Sequence, residues 1–388
     1  MAFPSNSIKR DPEILKKFFG SERALPFWVA DTDFPSPGPV LEAIQKRKDI
    51  GIFGYEVFPG SLKESYCHWF HKRHGTLIDP GEVVNAKGVM TNIAMAIELF
   101  SKPDEGVIIQ PPVYMAFRQT ISNVNRRVAN NPLKLVNGRY EIDYEDLEIR
   151  ASDPNNSIFL LCSPHNPVGR AWSHDELKRI IEICHAHGVF VISDEIHADL
   201  IYHNQNFQSV YDLEGIDRTG LMISYSPVKT FNLMSISDGF AVIPDPAKRQ
   251  QFEKYLEKLH LNQANAFSVV ASEAAFEHGG DYVDEVMRKV EENRDEVYQL
   301  LKRDVPFVHS VRQEGTYLLW LDFRGVGQDQ KLLQQRLAEE AKVAMIPGKW
   351  FGEQGDGFFR MNIACDKTML QEAWANIINM LKLHYPAP

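Results

Sequence analysis

The sequence predicts an α/β protein, with a large domain whose mostly parallel sheet is sandwiched by helices and a smaller α+β domain at the C-terminus. Between about residues 80 and 245, short β-rich apolar runs alternate with helical patterns, which is typical of a parallel sheet with crossover helices. From about residue 250, charged helical stretches come first and strand-like segments follow. The length of 388 residues allows about two or three domains.

Four apolar runs predict the strands of the parallel sheet. They are GVII (106–109), SIFLLC (157–162), GVFVIS (188–193) and LMIS (221–224). Runs of this length bounded by turn-forming residues are expected of buried strands.

A helix is predicted between the second and third of these strands. Ser173 and Glu176 have the spacing of a capping box, and Gly188 supplies a stop. The apolar residues between them repeat at helical spacing, at Leu177, Ile180, Ile181 and Cys184.

The C-terminal domain is predicted from helices and strands in a different order. Helical patterns cover 248–260, 268–280, 281–303 and 330–340, and strand-like segments cover 316–323 and 357–364. We expect residues 1–45 to pack with this small domain, residues 46–270 to form the large domain, and residues 271–388 to form the small one.

Composition excludes several classes of protein. The net charge of −10 argues against nucleic acid or an anionic membrane as a partner. No apolar run approaches the roughly 20 residues of a membrane span, and the N-terminal residues lack the apolar core of a signal peptide. The four cysteines are widely spaced, which predicts buried apolar residues rather than zinc ligands or disulfides. We therefore expect a cytoplasmic protein without a metal.

Polar side chains follow each of the four predicted strands. These segments are Gln110–Tyr114, Ser163–Arg170, Asp194–Asp199 and Ser226–Lys229. Each alone is explained equally well as a turn, since Pro-Pro and Asn-Pro are common turn formers. Ligands of parallel α/β sheets bind at the carboxyl ends of the strands, so together the four segments predict one binding site.

The side chains at these strand ends suit pyridoxal phosphate. That cofactor needs a lysine for its aldehyde, here Lys229, and a carboxylate to keep its pyridine nitrogen protonated, here Asp194. Asn166 is the candidate donor to the phenolic oxygen, Tyr114 the ring that stacks on the cofactor, and Ser226 a phosphate ligand.

A helix N-terminus is expected to complete the phosphate site, because its free amide groups and its dipole favour an anion. The turn at Val89 and Met90, just before the helical run TNIAMAIELF (91–100), is the candidate.

At this point the chain resembles a known family. The motifs are WVADTDFPSP (28–37), FGYEVFPGS (53–61), PPVY (111–114), SPHNPVGR (163–170), SDEIHADL (193–200), SPVKTFNL (226–233) and FFRMNIAC (358–365). They resemble those of the fold-type I pyridoxal-phosphate enzymes of aminotransferase class I/II, and within them the bacterial cystathionine β-lyase and C–S lyase group. The motifs span nearly the whole chain in the family's order.

The resemblance implies the fold-type I architecture and three further roles. Arg360 would bind the α-carboxylate of an amino-acid substrate together with Asn166, since a planar bidentate donor fits a carboxylate best. Tyr55 would reach the cofactor phosphate of the neighbouring subunit, so a homodimer is implied. His197 would support the ring site.

Two departures from the family's pattern lie next to the lysine. The family often has a small hydroxyl residue where this chain has Val228. Many aminotransferases carry an arginine about eight residues after the lysine as a phosphate ligand, and the segment 235–239 has none. The second departure leaves the phosphate site incomplete, but it is shared with the lyase group and favours lyase over transaminase.

The leading hypothesis is α,β-elimination of L-cystathionine or a similar L-cysteine derivative to thiol, pyruvate and ammonia, with Lys229 as general base. An aminotransferase, which moves an amino group between an L-amino acid and a 2-oxo acid, uses the same residues and stays open as the alternative. A non-catalytic regulatory protein that retains the fold is a third possibility, disfavoured by the intact set of site residues.

Three histidines, His68, His71 and His74, are spaced along one predicted helix. Such spacing can bind a metal, but no acidic or cysteine partner stands near them in the sequence. We therefore expect a solvated helix face.

Overall fold

The structure is a computed structural model that describes residues 3–236 and 238–385. In chain order its strands are β1 (Leu25–Pro26), β2 (Val83–Ala86), β3 (Gly106–Ile109), β4 (Arg127–Asn130), β5 (Lys134–Val136), β6 (Arg139–Glu141), β7 (Asn156–Cys162), β8 (Phe190–Asp194), β9 (Leu221–Tyr225), β10 (Gly239–Val242), β11 (His309–Ser310), β12 (Leu318–Asp322), β13 (Val343–Ala344), β14 (Ile346–Pro347) and β15 (Phe358–Asn362).

The α-helices follow the same order. They are α1 (Pro12–Phe19), α2 (Gly38–Asp49), α3 (Gly60–His74), α4 (Val89–Phe100), α5 (Met115–Asn123), α6 (Tyr144–Ser152), α7 (His174–Ala186), α8 (Val228–Phe231), α9 (Pro246–Lys258), α10 (Ala266–His278), α11 (Gly280–Asp304), α12 (Gln330–Glu339) and α13 (Lys367–His384).

The large sheet has the strand order β2-β10-β9-β8-β7-β3-β4. Strands β4, β3, β7, β8 and β9 are parallel, and β10 runs antiparallel to both β9 and β2. This confirms the predicted mostly parallel sheet and all four predicted strands. Cys162 pairs with Asp194, and Asp194 pairs with Ser224, so β7, β8 and β9 end at the same edge.

Strands β2, β4 and β10 were not expected from the sequence. They form because neighbouring strands supply their hydrogen-bond partners, which a local pattern does not reveal.

Side chains of the large sheet alternate between two buried layers. Ile108, Phe159 and Val191 point into one apolar cluster, whereas Ile109 and Leu160 point into a second. Helices α3 and α7 contribute to the first cluster, and α4, α5 and α9 contribute to the second. The sheet is therefore sandwiched by helices, as predicted.

The predicted capping box is present at the start of α7. The Ser173 hydroxyl accepts from the Glu176 amide at 3.3 Å, and the Glu176 carboxylate accepts from the Ser173 amide at 2.9 Å. The chain leaves the helix through Gly188, whose φ of 71° lies in the left-handed region that favours glycine.

The C-terminal part is α+β, as predicted. Its sheet has the order β11-β12-β15-β14 with antiparallel neighbours, accompanied by α11, α12 and α13. The N-terminal segment joins it through β1, which pairs in parallel with β13. The domain limits at residues 46 and 271 stay a prediction.

Neither a membrane span nor a metal cluster is found in residues 3–236 and 238–385. No helix there has the length and apolar character needed to cross a membrane, and no group of three or more His, Cys, Asp or Glu side chains is arranged to hold a metal ion. The four cysteines are buried and unpaired with one another, which confirms their interpretation as small apolar residues.

Candidate active site

Lys229 stands on a single helical turn directly after a strand of the large sheet. Strand β9 ends at Tyr225, and α8 places Lys229 at its second position. The Nζ atom donates to the main-chain oxygen of Ala30 at 2.5 Å. The amine therefore faces the N-terminal segment and lies on the edge of the sheet where the predicted site residues gather.

The surroundings lower the pKa of Lys229 to about 8. Burial is the largest cause, because it penalises the charged form, and the cation of Arg360 acts in the same direction. The carboxylates of Asp31 and Asp194 oppose them. An amine with this pKa is a nucleophile and base near neutral pH, whereas an ordinary lysine is almost fully protonated.

Asp194 is the last residue of β8 and is buried. Its Oδ1 accepts from the Ile196 amide at 3.1 Å. Burial raises its pKa to about 7, against the effects of that hydrogen bond and of Lys229. A buried carboxylate with so little compensation is stabilised by a cationic donor, and the protonated pyridine nitrogen of the predicted cofactor is such a donor.

The orientation of the Asn166 amide is fixed by Arg360. Arg360 Nη1 donates to Asn166 Oδ1 at 3.0 Å. A guanidinium can only donate, so the oxygen of the amide faces it and the NH₂ group is left to donate elsewhere. A free NH₂ group is what a donor to the phenolic oxygen of the cofactor needs, and this role of Asn166 stays a prediction.

Arg360 lies in the middle of β15 and is buried. Its Nη2 donates to the Trp28 oxygen at 2.7 Å, so within the described part of the chain its bonds go to an amide and a main-chain carbonyl. Its Nε is buried without a partner there, and burial lowers its pKa to about 10. A buried cation bonded only to neutral oxygens is suited to an anion, and the role of Arg360 in binding a substrate carboxylate stays a prediction.

Two aromatic side chains complete the buried surface. Tyr114 precedes α5; burial raises its pKa, and Arg360 and Asp194 are its charged neighbours. His197 is buried, and its ring meets that of Tyr317 edge-on at 6.2 Å. Burial and the cations of Lys229 and Arg360 hold its pKa well below the usual range, so the ring is neutral. Its Nδ1 has no partner among the described residues.

The start of α4 at Val89 agrees with the predicted helix N-terminus. Gly88 precedes it with a φ of 114°, and a Cβ on Gly239 would lie 2.9 Å from the Gly88 Cα. This close approach brings the start of α4 against the β9–β10 pair, where Ser226 follows β9. The first-turn amides of Val89 and Met90 have no intrahelical acceptor, as an anion site requires.

Ser226 is already engaged by the main chain. Its hydroxyl donates to the Asp238 oxygen at 2.6 Å, so it must rotate before it can donate to a phosphate. Its role as a phosphate ligand therefore stays a prediction. In the nearby segment 235–239, which lacks an arginine, Ser237 lies outside the described residues.

Tyr55 is not part of this buried group. Its side chain is 97% exposed, on a segment that is neither helix nor strand. Its predicted role in a neighbouring subunit stays a prediction.

The histidine prediction is wrong for one of the three residues. His68 and His71 are exposed as expected, but the side chain of His74 is only 6% exposed and its Nε2 lies 2.9 Å from Asp199 Oδ1. The sequence near the helix offered no acidic partner, and the fold supplies one from a segment 125 residues away.

Sequence reasoning missed two parts of the site. The Ala30 carbonyl accepts from both Lys229 and the Tyr317 hydroxyl, the latter at 3.0 Å. Ala30 belongs to the motif at 28–37, so its neighbourhood was visible, although a main-chain oxygen leaves no signal in a sequence. Tyr317 stood in a segment interpreted only as a strand, and a single aromatic residue there indicates no function.

The fold and the site define the class of protein. A mostly parallel sheet carries at one edge a buried lysine of lowered pKa, a buried carboxylate, and a buried arginine that contacts an asparagine amide. The family model described as "Aminotransferase class I and II" matches residues 31–377. The chain belongs to this family.

Particular relatives and structures are also similar to the chain. Cystathionine beta-lyase PatB of Bacillus subtilis is 38% identical over 361 residues, which cover 93% of each chain. A PLP-bound putative aminotransferase from Clostridium difficile superimposes with a TM-score of 0.95 at 33% identity, over 98% of each chain. Cystalysin from Treponema denticola, which contains a pyridoxal 5'-phosphate cofactor, gives a TM-score of 0.92 at 30% identity, over 97% of this chain and 96% of that one. The match to structures of this fold confirms the predicted architecture.

Proposed function

We propose that the protein is a pyridoxal-phosphate-dependent carbon–sulfur β-lyase that acts on L-cystathionine or related L-cysteine derivatives. The observation that carries this proposal is the shared burial of Lys229 and Asp194 beside an arginine bonded only to neutral oxygens. The name of the Bacillus subtilis relative, a cystathionine beta-lyase, points to the same reaction.

The residues present fit the cofactor. Lys229 would hold it covalently, Asp194 would pair with its ring nitrogen, and the Asn166 NH₂ group would donate to its phenolic oxygen. The ring of Tyr114 would cover one face, and the amides that begin α4 would bind the phosphate. Pyridoxal phosphate, when bound, supplies an electron sink for the charge that develops at the substrate Cα.

The chain's own residues would position the substrate and move its proton. Arg360 and Asn166 would bind the α-carboxylate, which fixes the direction of the Cα–H bond. The Lys229 amine, with its lowered pKa, would take the Cα proton as general base. Loss of that proton and of the β-thiolate gives an enamine, which water hydrolyses to pyruvate and ammonia.

An aminotransferase is the second candidate. It is favoured by the name of the Clostridium difficile structure, a putative aminotransferase. In that reaction the Lys229 amine would still take the Cα proton, but the β-substituent would stay on the carbon skeleton, which would leave as a 2-oxo acid. Val228 and the absence of arginine in 235–239 are departures from the transaminase pattern, so we place this candidate second. The complete set of site residues disfavours a non-catalytic regulatory role.

The two reactions are separated by their products. Purified protein loaded with cofactor is incubated with L-cystathionine, and pyruvate and free thiol are measured. The lyase produces both in equal amounts without a 2-oxo acid. Bleaching of the visible absorbance without pyruvate, reversed by adding a 2-oxo acid, would instead identify an aminotransferase. The variant Lys229→Ala is the control and is expected to release no pyruvate.

We also propose that the protein is a homodimer. An exposed apolar stretch runs through Ile50, Ile52, Phe53, Tyr55 and Val57, whose side chains are 57 to 97% exposed. Such a continuous apolar segment on a surface is typical of an interface, and a second copy of the chain would cover it. Tyr55 would then reach the partner's cofactor phosphate.

Mixed dimers test the arrangement. Lys229→Ala and Tyr55→Ala are each expected to be inactive or strongly impaired as pure dimers. When the two chains are co-expressed, one site of each mixed dimer regains both native residues if Tyr55 acts on the partner. Activity that stays at the level of the pure variants would refute the proposal, and light scattering checks that the molecules are dimers.

We propose a cytoplasmic location because of the state of the four cysteines. All four are buried and form no disulfide with one another. Cysteines without disulfides are typical of proteins in reducing compartments. Fractionation of cells with an antibody to the protein tests this location, and recovery in an extracytoplasmic fraction would contradict it.

A further inference from the structure

Asp199 is a buried carboxylate with four hydrogen-bond donors. It is 2% exposed and lies just after β8, the strand that ends at Asp194, in the segment that also carries His197. Each donor comes from a side chain, and together they span helix α3, the end of β9 and helix α8. They are Trp69, His74, Tyr225 and Thr230.

One carboxylate oxygen binds the strand and the turn that carry the lysine. Asp199 Oδ2 accepts from the Tyr225 hydroxyl at 2.6 Å and from the Thr230 hydroxyl at 2.7 Å. Tyr225 ends β9, and Thr230 directly follows Lys229. A single oxygen thus joins the end of the strand to the residue beside the reactive amine.

The other oxygen is fixed to a packed helix. Asp199 Oδ1 accepts from Trp69 Nε1 at 3.0 Å and lies 2.9 Å from His74 Nε2. Trp69 is 1% exposed and packs edge-on against Phe231, the last residue of α8, at 5.3 Å. The carboxylate is therefore held from a rigid part of the molecule.

Asp199 is ionised although it is buried. Burial raises its pKa, but the bonds from His74, Tyr225 and Thr230 outweigh this effect and keep the pKa below its usual value. A buried anion is tolerated only when its oxygens are well bonded, so the four donors and the carboxylate hold one another in place.

Helix α8 needs such support. It has four residues, and Pro227 before it provides no side-chain cap. A single turn is not stable by itself, because nucleation fixes several residues for few hydrogen bonds. The position of Lys229 is therefore set by what holds its neighbours.

We propose that Asp199 is a positioning residue, which anchors the lysine-bearing turn through Thr230 and so holds the Lys229 amine against the Ala30 carbonyl. It touches neither substrate nor cofactor. The proposal rests on Lys229 being the reactive amine.

The test removes the Thr230 hydroxyl, which donates to Asp199. Thr230→Val keeps the shape of the side chain but loses the hydroxyl, and Thr230→Ser keeps the hydroxyl. For Thr230→Val we expect kcat to fall about tenfold with KM within about twofold, because a small misplacement of a catalytic group costs up to about a hundredfold in rate. Thr230→Ser is expected to restore kcat to within about twofold of the native value.

Thr76→Val is the matched control. Thr76 is fully buried, and its hydroxyl donates to another carboxylate, that of Asp212, in the segment 210–212. This variant loses the same kind of bond away from the lysine, so the melting temperature should fall while kcat stays within about twofold. An equal loss of kcat in Thr76→Val and Thr230→Val would show general destabilisation and overturn the proposal.

A second readout uses the protein without cofactor. Acetylation of Lys229 by a small reagent is followed across pH by peptide mass spectrometry, which gives the pKa of its amine. A loosened turn admits water, so Thr230→Val should shift the midpoint upward by about one pH unit from the native value near 8, and Thr230→Ser and Thr76→Val should not. An unshifted profile in Thr230→Val refutes the proposal. If the native protein releases no pyruvate, the proposed lyase function is refuted. The acetylation profile would still test whether Asp199 positions Lys229, because it needs no activity.

Discussion

Replacing Arg360 with methionine should separate activity from stability. The guanidinium is buried and donates to Asn166 and to the Trp28 carbonyl. Methionine fills a similar volume without a charge. If Arg360 binds the substrate carboxylate, the variant loses two charge-assisted hydrogen bonds to the substrate.

The magnitude follows from those two bonds. Each hydrogen bond to a charged group contributes about 1.5–3 kcal/mol, so a bidentate pair contributes about 3–6 kcal/mol. Since about 1.4 kcal/mol corresponds to a factor of ten, kcat/KM should fall by about 10² to 10⁴. Arg360→Lys keeps the charge but loses the planar fork, and we expect an intermediate loss.

The thermal stability of Arg360→Met should not fall as its activity does. A buried cation bonded only to neutral oxygens carries a desolvation penalty, and its replacement by an apolar side chain of similar size is often neutral or stabilising. The melting temperature of cofactor-free Arg360→Met should therefore equal or exceed that of the native protein.

The assay measures pyruvate release against L-cystathionine concentration with cofactor-loaded protein, and thermal unfolding is measured on the cofactor-free form of the same variants. A loss of less than tenfold in kcat/KM would refute the role of Arg360 in carboxylate binding. A large fall in melting temperature would refute the view that its charge is destabilising in the free protein.

Four other substitutions test the surroundings of the site and the stability of the fold. Asp194→Asn keeps the acceptor for the Ile196 amide but not the charge, so kcat should fall about 10²-fold or more, measured by pyruvate release. Arg170→Met breaks a fully buried ion pair with Glu314 at 2.8 Å and should lower the free energy of unfolding in urea by about 3–5 kcal/mol. Arg150→Met removes only a half-buried helical pair with Asp146 and should cost no more than about 1 kcal/mol; equal losses in the two would contradict the argument. Burial raises the pKa of Glu195 to about 8, so the folded state holds a proton that the unfolded state releases above about pH 4.3. The contribution of Glu195 to the free energy of unfolding therefore falls as pH rises from about 4.3 to 8. Glu195→Gln should remove that part of the pH dependence of the melting temperature. If the melting temperature of the variant changes with pH as that of the native protein does, the raised pKa of Glu195 is contradicted.

Much of the site followed from local sequence, because strands and the residues after them are encoded together. The run 221–224 and the lysine at 229 are separated by a short turn, so predicting the strand also placed the lysine at its carboxyl end. The same holds for Asp194 after β8 and Asn166 after β7. The capping box at Ser173 is likewise local, since both partners lie within one helical turn.

Other features depended on contacts that no local pattern carries. The Lys229 amine meets a carbonyl 199 residues earlier in the chain, and the Arg360 guanidinium meets an amide 194 residues away. Ser226 looked free to bind a phosphate, but the fold gives its hydroxyl to the Asp238 carbonyl. Burial, and with it the pKa of each group, is set by everything that packs around it.

The sequence by itself determined the α/β class, the four central strands and the chemical groups at their ends, because periodicity and turn residues act over a few positions. Only the tertiary structure decided which of these groups are buried together and what holds them. Asp199 shows the difference: its position in the motif at 193–200 was plain, but its four donors come from segments up to 130 residues apart in sequence from it. Hydrogen bonding between distant segments depends on packing, and packing is a property of the whole fold.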